Sequence, residues 1–320
     1  MNIEVKINKM TCFYYWVQSM TAWNVYPPEQ KSYDYYKIGN LETPEQSSLD
    51  SIKKILLNSK EPRLILAELY SDNIKSNDSR EIEEKASILL TPFEAIWSSV
   101  SKALHQSKKT IDSVDFSVFS GKIQEIAHFL DSGFNLDATI DLYLIQNHPS
   151  SSPVGHQISQ TNFILLHPTG VELANQKDTN IGTVIHEYLH MIEFNSKTSS
   201  QLCKNSFEKI IKPTNVDPPK GYTWKQLYFE VIVYCFANNI TGGLFRPEIF
   251  NKPSLTVKES ENGFRKLYTT GEYTTPHLIA WVALNIQDSV MQYMNNQRKI
   301  DNHIVSMISR MFLEFIVDKK

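Results

Sequence analysis

The residues with the clearest chemical potential stand at positions 186–190, His-Glu-Tyr-Leu-His. On a helix, His186 and His190 fall one turn apart on the same face, so both imidazoles can reach a single metal ion. Glu187 then lies beside that ion rather than on it. A carboxylate there can accept a proton from a water that the metal has made acidic. Zn2+ suits this ligand chemistry, and a catalytic zinc normally takes three protein ligands and leaves one position for water. Two histidines leave the set one ligand short, so the third must come from elsewhere in the chain. The flanks support a buried helix: Val184, Ile185, Leu189, Met191 and Ile192 are apolar, and no proline interrupts them. Two histidines and a carboxylate inside such a helix are costly without a metal or other partners.

The stretch Thr183–Ile192, Thr-Val-Ile-His-Glu-Tyr-Leu-His-Met-Ile, resembles the active-site helix of the zincin metallopeptidases. The resemblance implies a zinc-dependent hydrolase that cuts a peptide or protein substrate with metal-activated water. Metzincins continue with Gly three residues after the second His and a third His three later; Glu193 and Ser196 occupy those positions here. The aspzincin pattern Gly-Thr-x-x-Asp is absent downstream. Gluzincins supply a Glu from a second helix. Glu230, alone in Tyr228-Phe229-Glu230-Val231-Ile232-Val233-Tyr234, resembles that third ligand. Its plain alternative is a surface acid or half of a buried ion pair. Glu193 competes for the role, but a third ligand from the same short helix would strain the tetrahedron, so a supporting or substrate-facing role suits it better. Family members often carry Asp four residues after the ligand Glu, to orient a histidine; that position is Tyr234, which leaves Asn238 or Asn239 as substitutes.

By the same resemblance, a donor for the developing oxyanion comes from the helical half, where Tyr273 and His277 stand at the opening of a helix. An exposed helix N-terminus is the ordinary reading of that pair. The strand Phe163–His167 takes the place of the family's edge strand, to which an extended substrate adds. Two rival outcomes keep the fold but change the role. One is an inactive zinc-binding or interaction module, against which the presence of Glu187 argues. The other is an effector-type peptidase specific for one protein.

The elements that must position these groups read as α+β. Ile3–Ile7 alternates apolar and charged residues, as an edge strand does. Residues 11–23, rich in aromatics, suit a buried helix, and 26–46 a loop. Helices are expected over Ser47–Lys60, Glu81–Leu90, Thr91–Gln106 (with Thr91-Pro92 as its start) and Phe119–Leu130. Ala138–Ile145 and Asn162–His167 are strands around a loop at Asn147–Gln160. A helix capped by Asp178 or Thr179 carries the motif to Phe194. Helices at Trp224–Asn239, Thr275–Asn295 and Asn302–Val317 follow, with loops at Lys212–Gly221 and Gly242–Pro253. The element order by itself suggests an α+β unit with a helical C-terminal half; the resemblance implies a zincin-like fold, with an α+β subdomain over 1–200, a helical subdomain over 201–320 and the active site in a cleft between them.

Composition narrows the setting. Lys and Arg number 32 against 35 Asp and Glu, a net charge of −3, so no global basic field exists to hold nucleic acid or an anionic membrane. The three cysteines, Cys12, Cys203 and Cys235, are odd in number and not at CxxC spacing, which favours a reducing compartment over a disulfide framework. The N-terminus carries no basic segment followed by an apolar run. A cytoplasmic protein is expected, or one exported by a route that leaves no such signal.

Overall fold

The structure, a computed structural model, describes residues 1–21, 23, 43–148, 153–157, 162–170, 176–219, 222–237 and 275–317. It is a mixed α+β chain, mostly helical, with one small mixed sheet. Among the described residues the last strand ends at His167, and only helical elements follow it. The chain divides into two compact units. One comprises residues 2–115 and 138–184; the other comprises Met1, residues 116–137 and residues 185–320.

The first unit holds the sheet. Its strands are β1 (Asn2–Lys6), β2 (Thr139–Leu144), β3 (Val154–Gln157) and β4 (Phe163–His167), in the order β1-β2-β4-β3. β1, β2 and β4 run parallel, and β3 is antiparallel to β4. β1 is an edge strand, as its alternation predicts, and Lys6 crosses to Asp141 on β2 at 2.7 Å. β4 corrects an expectation. It is not an edge strand, because β3 pairs along its other side, and all five of its residues are buried. An unbroken apolar run such as Phe-Ile-Leu-Leu is what a strand covered on both faces requires. β3 lies inside the stretch expected to be a loop. Val-Gly-His-Gln shows no alternation and is only half-buried; tertiary pairing with β4, not local sequence, makes it a strand.

Helix α1 (Lys9–Thr21) opens on Asn8, whose side-chain oxygen accepts from the backbone N–H of Met10 and Thr11. Its rings Phe13, Tyr14, Tyr15 and Trp16 are buried, with Phe13 and Trp16 packed on Phe93. They form core, as the aromatic run suggested. The unit continues with α2 (Thr43–Asn58), α3 (Pro62–Tyr70), α4 (Asn77–Ala86) and α5 (Leu90–Asp112). No helix was expected at α3, although proline in its first turn is a standard start. α4 begins four residues ahead of Glu81 because Ser76 caps it, its hydroxyl accepting from the Ser79 N–H. The Thr91-Pro92 start holds to within one residue, but not as a cap: a 3-10 turn at Ser87–Leu89 leads straight into α5, whose first turn has no side-chain cap.

The second unit is helical. It contains α6 (Ser120–Phe129), residues 185–194 of α7 (Gln176–Phe194), α8 (Lys197–Ser206), α9 (Trp224–Phe236), α10 (Thr275–Asn295) and α11 (Asn302–Val317). The bounds of α10 and α11 coincide with those read from the sequence. α7 starts at Gln176, ahead of the Asp178 or Thr179 cap expected. The core is built on α9, where Trp224 and Tyr228 meet Phe312 of α11, and Phe236 meets Phe129 of α6. Within it, the Tyr228 hydroxyl reaches Ser309, which in turn lies 2.6 Å from Ser206. Three polar side chains thus satisfy one another where water is excluded. Among the described residues, no helix is long and apolar enough to cross a membrane.

Candidate metal centre

Two helices carry the site. α7 has no proline, and along it His186, His190 and Phe194 recur every fourth residue, forming one stripe. α9 starts at a capping box: the Thr223 hydroxyl accepts from the Gln226 N–H, and the Gln226 side chain accepts in return from the Thr223 N–H. It ends at Phe236. There Ala237 turns to an extended conformation, φ −142° and ψ 102°.

Along the two helices, contacts pair rising numbers on α7 with falling numbers on α9. His186 meets Tyr234 and Ala237, His190 meets Glu230, and Phe194 meets Phe229. The segments therefore run antiparallel. This places the ligand pair of one helix against the single acid of the other.

The donor atoms converge. His186 Nε2 and His190 Nε2 lie 3.2 Å apart. Glu230 presents Oε2 at 3.5 Å to the first imidazole and Oε1 at 3.5 Å to the second. One ligand atom from each of the three residues fits within 4.8 Å, an arrangement that could hold a metal ion. Ligands at about 2.05 Å from a tetrahedral ion are separated by about 3.3 Å. The nitrogen–nitrogen spacing matches that edge, and the carboxylate straddles the pair with a different oxygen 3.5 Å from each imidazole, so the donor set suits a divalent cation in its chemistry and needs only a small turn of the Glu230 carboxylate to bring one oxygen to both.

The histidine tautomer is set by the end of α9. His186 Nδ1 lies 3.0 Å from the Ala237 carbonyl oxygen. A carbonyl can only accept, so Nδ1 carries the proton and Nε2 keeps a lone pair aimed at the site in the neutral ring. Tyr234, four residues after Glu230, meets the His186 ring nearly at right angles, with centroids 5.5 Å apart. Asn238 and Asn239, the substitutes considered from sequence, lie outside the described residues. The backbone of Ala237 does the orienting instead. Residue type gives no signal for such a partner, because every residue has a carbonyl.

Electrostatics tie the three groups together. Burial favours the neutral form of His186, but the facing Glu230 carboxylate outweighs it and lifts the imidazole to about 9. Burial likewise opposes ionisation of Glu230. The His190 charge and the hydrogen bonds from both histidines overcome it and hold the carboxyl far below the ordinary carboxylate range.

Glu187 is buried next to His186 on α7, is not one of the converging ligands, and adds to the negative potential that favours the charged His186. Glu193 is not among the converging ligands either. It is fully buried; its Oε1 is 3.5 Å from the Ser199 hydroxyl, and its Oε2 has no hydrogen-bond partner. Burial raises its carboxyl well above the usual range, with nearby Lys225 acting in the opposite sense. Tyr273 lies outside the described residues. His277 belongs to α10, but its side chain is not described.

No protein-family model, no curated protein and no solved structure matches the chain.

Proposed function

We propose that this protein is a zinc metallopeptidase whose metal is held by His186, His190 and Glu230, with Glu187 as general base. The observation that carries the reading is the convergence of two imidazole nitrogens and one carboxylate from two antiparallel helices within 4.8 Å, with a second, non-ligating carboxylate adjacent in the chain. A structural zinc site is closed by four protein ligands. Three, all nitrogen or oxygen, leave a position for solvent or substrate, and among the described residues no fourth His, Cys, Asp or Glu joins the group.

When bound, the metal supplies a Lewis acid that polarises a carbonyl and makes water acidic near neutral pH. The protein does the rest. The Ala237 carbonyl holds His186 in the tautomer whose Nε2 can ligate. Glu187 accepts a proton from the attacking water as its oxygen bonds to the peptide carbonyl carbon. Glu187 then returns that proton to the amide nitrogen as the carbon–nitrogen bond breaks, so that it ends as the carboxylate it began as. Tyr273 and His277 are the candidates for donating to the oxyanion.

The test is Glu187→Gln. The variant should retain zinc at the wild-type ratio, measured by elemental analysis. It should lose activity on a mixed peptide library by roughly 100- to 10,000-fold. Wild-type protein that takes up no zinc, or a variant that keeps full activity, would overturn the assignment.

A further inference from the structure

The stripe that carries the two histidine ligands does not end at His190. One turn further along α7, Phe194 continues it, its ring centroid 6.4 Å from that of His190. A large apolar side chain one turn from a polar site would ordinarily be buried, yet Phe194 is 44% exposed. Opposite it on α9 stands Phe229, the residue before ligand Glu230. The two rings meet edge to face at 5.5 Å and 89°. Phe229 is itself buried, so its contact holds the more exposed ring in place. Lys225, one turn before Phe229 and exposed, sets its ammonium 5.3 Å from the Phe229 ring centroid. Among the described residues Lys225 makes no ion pair. Ligand, aromatic step and cation therefore follow one another along the same pair of helices.

We infer that Phe194, backed by the buried Phe229 and flanked by Lys225, forms an aromatic shelf beside the metal ligands that receives a bulky apolar side chain of the substrate with a carboxylate next to it. The occupant follows from the shelf's place and charge. A group engaged at the ligand triad has its adjoining side chain within reach of Phe194, and a cation at the far end of the shelf selects an anion there. A preformed aromatic surface keeps its cost in side-chain ordering low. The inference rests on the metal-site reading above and goes beyond it by naming a substrate class: peptides that place an aromatic or large aliphatic residue beside an acidic one.

The experiment uses the zinc-loaded full chain and three hydroxamates as probes: acetohydroxamate, N-acetyl-phenylalanine hydroxamate and N-succinyl-phenylalanine hydroxamate. Binding is measured by calorimetry on wild type, Phe194→Ser, Phe194→Leu and Lys225→Glu. Both positions are exposed, so the variants should fold, and Phe194→Leu keeps an apolar surface in any case. Phe194→Ser should weaken both benzyl compounds by about fivefold relative to acetohydroxamate. Phe194→Leu should restore most of the difference. Lys225→Glu should weaken the succinylated compound by about fivefold relative to the acetylated one. Wild-type ratios preserved in Phe194→Ser and Lys225→Glu would overturn the shelf while leaving the metal site standing. Failure of the wild-type chain to take up zinc or to bind acetohydroxamate would instead remove the metal-site reading, and the shelf with it.

Discussion

Glu230 is the hinge of the site, and replacing it by Gln gives a test that needs no substrate. The substitution keeps the side chain's size and removes the anion that both imidazoles face at 3.5 Å. In the metal-free protein, His186 then falls from about 9 to its ordinary 6.5 or lower, because burial still opposes its charge. At about 1.4 kcal/mol for each pH unit, that gap corresponds to a loss of roughly 3 kcal/mol. The direction with pH is specific. The folded-state value lies above the unfolded one, so the pair's contribution is complete below pH 6.5 and disappears as pH rises through 9. Chelator-treated wild type should therefore exceed Glu230→Gln by roughly 3 kcal/mol in urea unfolding at about pH 6 and by less at about pH 7.5, and by about pH 10 that advantage should vanish or reverse, because the buried carboxylate then faces neutral imidazoles. Glu230 is ionised in folded and unfolded states alike across this range, so its own titration adds nothing to the trend. A difference that is flat with pH, or that grows toward alkaline pH, would refute the pairing of Glu230 with a protonated His186.

Other outcomes follow from the same geometry. Zinc must displace the proton that His186 carries below about 9, so uptake at pH 7.5 should release about one proton, read from the dependence of calorimetric enthalpy on buffer ionisation. Glu193, neutral because it is buried, stabilises the fold below the ordinary carboxylate value of 4.5, and that stability is lost as pH rises toward its raised folded value. Glu193→Gln should therefore be more stable than wild type by about 1–3 kcal/mol at neutral pH, with no gain in acid, as thermal or urea unfolding will show. Glu68 has the opposite sign. Burial opposes its ionisation, but bonds from the Ser76 and Lys75 N–H groups and the Ser76 and Ser79 hydroxyls hold it at about 2. Glu68→Gln should cost about 1–3 kcal/mol at neutral pH, a difference that fades as pH falls from 4.5 through 2.

The amino-acid sequence alone determined what is local. Four-residue spacing put His186 and His190 on one helix face whatever the rest of the chain did. Apolar neighbours required that helix to be buried. A lone acid among the apolar residues of 228–234 singled out Glu230, because ionised carboxylates are rarely left in such surroundings without a cation. The ends of α10 and α11 were legible because proline and the polar breaks act through the backbone itself.

What depended on distant partners was not legible. β3 exists only because β4 lies beside it, and that pairing moved β4 from the edge of the sheet to its interior. α5 begins at Leu90, within one residue of the Thr91-Pro92 start, but a 3-10 turn and not a threonine cap delivers it. The orienting partner of His186 is a backbone carbonyl freed where α9 stops, and a carbonyl has no residue type to betray it. The same antiparallel packing that closes Glu230 onto the histidines leaves Phe194 at the surface beside them. Spacing along one helix identifies which groups share a face; only the second helix decides what that face meets.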